Sequence, residues 1–174
     1  MPSSTLRPAA PGGPPVRRWS PIRALVIGTV VVGVLDALDA IVVFALRSNV
    51  SPMRIFQGIA SGLIGPEAFA GGVPTALLGV GLHFVIACGI VATCLAISRV
   101  WTPLASRPFV FGPIYGIAVY LVMNFVVIPL SAIGASSFNT FAVVNGLLIH
   151  VVGVGIPAAL VAARVQWGRP RHAS

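Results

Sequence analysis

ALVIGTVVVGVLDALDAIVVFAL, residues Ala24–Leu46, is a run of 23 residues interrupted only by Asp36 and Asp39. About 20 predominantly apolar residues cross the hydrocarbon core of a bilayer, so this run predicts a transmembrane helix. Three further runs of that kind follow, at Val73–Ile97, Phe109–Ile133 and Thr140–Ala163. The expected fold is therefore an all-α membrane protein, a bundle of four transmembrane helices. Two arginines, Arg17 and Arg18, precede the first run, as they would in a signal peptide. A leader's apolar region is only about 7–15 residues long, however, and this run is longer and carries two carboxylates, so a retained helix is expected.

Composition supports the same class. Of 174 residues, 57% are hydrophobic and 8% charged, and the mean hydropathy is +1.00. A water-soluble domain carries about a quarter charged residues, and a chain this apolar in water would expose large sticky patches. The net charge of +8 invites a nucleic-acid reading. The arginines sit in tails and loops between spans, which is how membrane topology is encoded. Nucleic acid is therefore not an expected partner; the lipid bilayer is, and a homo-oligomer is compatible with the sequence.

Residues 1–21 hold six prolines and no apolar periodicity, which reads as a disordered tail. A membrane domain over 22–165 and a short tail over 166–174 complete the expected organisation. Between the first two spans, Ser51–Gly72 (SPMRIFQGIASGLIGPEAFAGG) carries Arg54, Gln57 and Glu67 and is interrupted by Pro66. It is too short and polar to span and predicts an interfacial or re-entrant helix. With four spans, nine of the eleven arginines fall on one side and only Arg47 and Arg54 on the other. The positive-inside rule then puts both termini in the cytoplasm.

Helices in lipid associate through small residues that let backbones approach. Gly112, Gly116, Tyr120 and Asn124 recur at spacing four, as do Gly79 and His83 with Ala87, and Gly146 with His150. Gly153 lies one turn further on, and Gly33, Asp36 and Asp39 recur at spacing three. Residues so spaced share a helix face, so these stripes are expected to face one another across the bundle interior. Cys88 and Cys94, six apart in the second span, read as small apolar core residues.

Ionisable groups in a span are costly and are functional candidates by default. Asp36, Asp39, His83, Asn124, Asn145 and His150 all fall roughly 8–15 Å below the outer surface, at 1.5 Å of helix rise per residue. Four readings stay open for this layer. The groups could relay or sense protons, hold a metal ion with His83 and His150 as ligands, or ligate haem axially through facing histidines. They could also be an Asp–His hydrogen-bond pair that pins helix one to its neighbours. No HExxH, GxSxG or P-loop string occurs, so no catalytic residues, no resident metal and no cofactor are assigned, and the chain is expected not to be an enzyme.

Three strings, GVGLHFVIACGI (79–90), RPFVFGPIYGIAVYLVMNFVVIPLSAIG (107–134) and NGLLIHVVGVGIPAALVAAR (145–164), resemble a group of uncharacterised bacterial inner-membrane proteins. The recurring elements are a His-Phe pair, a Met-Asn…Pro-Leu-Ser stretch and a late His. The chain is also distantly similar to YagU-type inner-membrane proteins, which are linked loosely to acid tolerance. The resemblance covers about residues 30–165. It implies a multi-pass protein of the bacterial inner membrane and marks His83, Asn124, Pro129 and His150 here.

Overall fold

The computed structural model describes residues 18–134, 139–165 and 167. Most of the expected N-terminal tail (1–17), residues 135–138 of the turn before the last span, and most of the C-terminal tail lie outside the described residues. Four helices are long and apolar enough to cross a membrane: α1 (Pro21–Ser48), α3 (Gly72–Val100), α5 (Pro108–Leu130) and α6 (Thr140–Ala163). Two shorter helices join them: α2 (Pro52–Ile64), followed by a 3-10 turn over Pro66–Ala70, and α4 (Pro103–Ser106). No strand occurs among the described residues; Trp19 and Val165 form an isolated bridge. The chain is a multi-pass membrane protein with an all-α, four-helix architecture.

Local sequence explains where the helices start and stop. Ser20, Ser51 and Asn139 cap α1, α2 and α6 by accepting from the backbone N–H three residues on, which satisfies one of the donors a helix leaves unpaired at its start. Proline opens α1, α2, α4 and α5, where its missing N–H costs nothing. Gly65, at φ +80°, ends α2. α5 stops at Leu130, three residues before the end expected from hydropathy, because Ser131 turns to an extended conformation. Trp19 N–H donates to the Arg164 carbonyl (2.8 Å), which ties Trp19 to the end of α6.

Neither α5 nor α6 is a uniform α-helix. Met123–Val127 in α5 and His150–Gly155 in α6 are π-helical turns. Each precedes a proline, Pro129 and Pro157. Proline has no N–H to give to the carbonyl four residues back, and its ring crowds that carbonyl. The widened turn absorbs the mismatch. Such turns are uncommon and concentrate at functional sites, and here they hold Asn124 and His150.

The two ends of the bundle differ. At the end bearing the termini, Arg23 and Arg164 lie over Trp19, Arg99 over Trp167, and Trp101 packs on Phe111. The half of the bundle nearest that end is solid. Ala24 and Val32 of α1, Val91 and Cys94 of α3, Leu104 of α4 and Ala158 of α6 are fully or almost fully buried in one cluster. Cys94 thus packs as a small apolar residue; Cys88 is half-buried, and both are free thiols. Val26, Val30, Leu77, Val85, Ile114, Phe125, Leu148 and Val152 face outward, as lipid-facing side chains do.

Backbones meet closely along the seam between α5 and α6. A Cβ on Gly116 would strike the His150 carbonyl, one on Gly112 would lie 2.9 Å from the Ile156 Cα, and one on Gly155 would strike the Gly112 carbonyl. Gly79 behaves differently from the expectation that its stripe faces another span. It admits the Phe56 backbone carbonyl, so that face of α3 receives α2. Gly146 accommodates the Tyr120 ring, and Gly153 the Ile149 side chain of its own helix with the Leu35 Cβ at 3.6 Å.

Candidate functional site

α2 decides the shape of the other half of the bundle. Arg54 donates to the Phe69 carbonyl (3.1 Å) and its guanidinium lies 4.6 Å from the Phe69 ring centre. Gln57 Nε2 donates to the Gly72 carbonyl (3.0 Å), which holds α2 to the start of α3. Further along, the Gly62 carbonyl accepts from Ala132 N–H (2.8 Å), which ties α2 to the residues following α5. α2 is thus a cap over the helix ends, anchored on both sides. Sequence reading had given Gln57 no role beyond interrupting the apolar run, and Arg54 only a place in the charge count that sets topology.

Beneath the cap lies a cavity of about 720 Å³. Its walls are apolar: Val32 and Ala40 of α1, Ile55 and Ile59 of α2, Ile86 of α3 and Val127 of α5. Its polar lining comprises Asp36, His83, Asn124 and His150, contributed by the four spanning helices, with Arg54 and Ser131. Four of the six residues singled out by depth therefore share one cavity. A second cavity of about 240 Å³ lies between α1 and α6 and is more polar, lined by Asp36, Asp39, Arg47, Ser48, Asn139 and Asn145. The remaining two candidates, Asp39 and Asn145, line this one. Arg47, Ser48 and Asn139 stand at helix ends, so this cleft leads from the capped end of the bundle toward Asp36.

The hydrogen bonds differ from the Asp–His pairing expected. His83 Nε2 donates to the Gly33 carbonyl (2.8 Å), where α1 comes close enough to α3 for the bond to form. The ring is flanked edge-on by Phe84 and Phe56. His150 Nδ1 donates to the Gly146 carbonyl one turn back (2.8 Å) and lies 5.5 Å from the Tyr120 ring. Asn124 Nδ2 donates to the Tyr120 carbonyl (2.9 Å). Backbone carbonyls are abundant acceptors close at hand, and each imidazole satisfies its N–H there rather than on a carboxylate. A carbonyl only accepts, so the nitrogen facing it carries the proton. In the neutral ring this leaves His83 Nδ1 and His150 Nε2 as the basic positions.

The two aspartates are not equivalent. Asp39 Oδ2 accepts from Asn145 Nδ2 (2.8 Å), a side-chain bond that links α1 to α6. Asp36 accepts no hydrogen bond among the described residues. Its electrostatic neighbours are His150, His83 and Asp39. It lines both cavities, which makes it the ionisable residue between the polar cleft and the apolar chamber. Among the described residues no three of His, Cys, Asp and Glu gather closely enough to hold a metal ion, so the metal reading of His83 and His150 gains no ligand set. Compared with models of protein families, with curated proteins and with solved structures, the chain finds no match.

Proposed function

We propose that this is a protein of the bacterial inner membrane, with both termini cytoplasmic, that moves or senses protons through Asp36. The observation that carries the reading is the position of Asp36. It stands where a polar cleft from the capped end meets the main cavity, free of hydrogen bonds among the described residues, with the imidazoles of His83 and His150 as its neighbours. A carboxylate kept within a span without a hydrogen bond is costly, and a protonatable role accounts for that cost. Histidine is the side chain whose charge changes near neutral pH, and His83 and His150 each retain one basic nitrogen. A proton entering past Arg47 and Asn139 reaches Asp36 and can pass to either ring.

Asp39 has a structural role in this reading, since its carboxylate is occupied by Asn145. The orientation rests on the arginine distribution. Arg18, Arg23, Arg99, Arg107 and Arg164 mark the end bearing the termini, against Arg47 and Arg54 at the capped end. The test is flux in proteoliposomes loaded with a pH-sensitive dye. Flux abolished by Asp36→Asn identifies transport. Absent flux with an Asp36 that still titrates identifies sensing. Proton flux unchanged by Asp36→Asn overturns the reading.

A further inference from the structure

The main cavity is far larger than a proton path requires. About 720 Å³ lies within the 300–1,000 Å³ of pockets that hold organic ligands. Its walls are aliphatic, and its rim carries Phe44 of α1 and Phe69 of the turn after α2. An apolar chamber with one carboxylate that accepts no hydrogen bond among the described residues has a defined complement: a molecule with an apolar body and a positive charge. We propose that this cavity binds a lipophilic cation, with Asp36 as its counter-charge.

Every ionisable group around the carboxylate bears on this choice. Asp39 on α1 adds a second negative charge nearby, already held by Asn145. His83 on α3 and His150 on α6 donate to backbone carbonyls and not to the carboxylate. α5 contributes Asn124, which is neutral. Arg54 on α2 is the one permanently cationic residue of the lining. Its guanidinium is engaged by the carbonyl and ring of Phe69. Arg47 stands in the separate small cleft. An anion in the chamber would face the Asp36 charge in a medium of low dielectric, where like charges repel strongly. A cation gains that interaction.

The proposal rests on the proton reading for one further feature. Asp36 can hold either a proton or the cation. When the cation enters the chamber, the carboxyl O–H bond breaks, the proton leaves through the small cleft and the carboxylate pairs with the ligand. Reversal returns the proton and frees the cation. Charge balances, and no other reactant takes part.

Isothermal titration of the purified full-length protein in detergent, with blank micelles subtracted, tests this with tetraphenylphosphonium and ethidium as probes. The tetraphenylborate anion, which has the shape of the first probe and the opposite charge, is the control. Saturable one-to-one cation binding is expected, at least tenfold weaker in Asp36→Asn and absent for the anion. Gly58 lines the chamber, and a Cβ there meets nothing within 4 Å. Gly58→Phe therefore adds a ring on the cavity-lining side of α2 while Asp36 itself is retained, and it should weaken binding by a similar factor. Equal binding to wild type and Asp36→Asn, tetraphenylborate binding as well as the cations, or no saturable binding of either cation overturns the proposal. Repeating the titration in buffers of different ionisation enthalpy counts protons released. Asp36-dependent binding without proton release leaves the cation site standing and removes the proton reading; an Asp36 that titrates in a protein binding neither cation does the reverse.

Discussion

Replacing Gly116 with alanine tests the packing that holds His150 in place. An alanine Cβ there would strike the His150 carbonyl oxygen and lie 2.7 Å from its carbon and 3.0 Å from the Val151 Cα. All three obstacles are backbone, so no side chain can swing aside. Restoring 3.4 Å to the carbonyl oxygen, the nearest of the three, requires α5 and α6 to part locally by more than about 1 Å. A gap of about 0.5–1 Å already forfeits about a quarter to a half of the dispersion energy of each facing pair. The neighbouring approaches at Gly112 and Gly155 open together with it, since they belong to the same seam. Overpacking costs about 1–3 kcal/mol, and immovable backbone places this case toward the upper end. Alanine recovers about 0.5–1 kcal/mol through its better helix propensity. The expected net loss is about 2 kcal/mol, or about 30-fold in the folding equilibrium. Unfolding in mixed micelles by titration with a denaturing detergent, followed by circular dichroism, measures it. Gly58→Ala is the reference, because its Cβ meets nothing and its stability should match or slightly exceed wild type. Equal midpoints for the two variants would refute the close-packed seam.

Three other outcomes follow from the same geometry. Asp39→Ala removes the acceptor for Asn145 and should cost about 0.6–2 kcal/mol in the same assay, while Asp39→Asn, which keeps an acceptor oxygen, should cost less; equal losses would mean the bond contributes nothing. Gly79→Ala drives a methyl into the Phe56 carbonyl and should lift the cap, so that a cysteine placed at Ile59, which lines the main cavity, reacts with a water-soluble maleimide faster than in the Gly79 background; unchanged labelling would show that α2 does not depend on that contact. A fluorescent-protein fusion after Ser174 should glow and a phosphatase fusion there should stay inactive, and the opposite pattern would invert the topology.

The membrane architecture was legible because span length and apolarity are one-dimensional properties, written in runs such as Ala24–Leu46. The polar layer was legible for the energetic reason that made it costly: Asp36, His83 and His150 stand out against lipid-compatible neighbours. Their partners were not. His83 bonds the Gly33 carbonyl and His150 the Gly146 carbonyl, and a backbone acceptor leaves no mark in sequence. The π-turns had a signal in Pro129 and Pro157, placed five and seven residues after Asn124 and His150, but a proline alone does not say whether a helix kinks, breaks or widens. Least legible was the main cavity. Its existence depends on where α2 rests, and that is fixed by contacts across tens of residues, Phe56 on Gly79 and Gly62 on Ala132.

The central claim is that Asp36 exchanges a proton inside the folded protein. Infrared spectroscopy of the reconstituted protein across a pH series reads this directly, through the carbonyl stretch that a carboxylic acid has and a carboxylate lacks. The chain has only three acidic side chains, Asp36, Asp39 and Glu67, so the signal can be assigned by single substitutions. The account predicts a protonated-carboxyl band that grows as pH falls, is missing in Asp36→Asn, survives in Glu67→Gln, and shifts its midpoint in His150→Gln. Identical infrared titrations for the wild type and Asp36→Asn would contradict it.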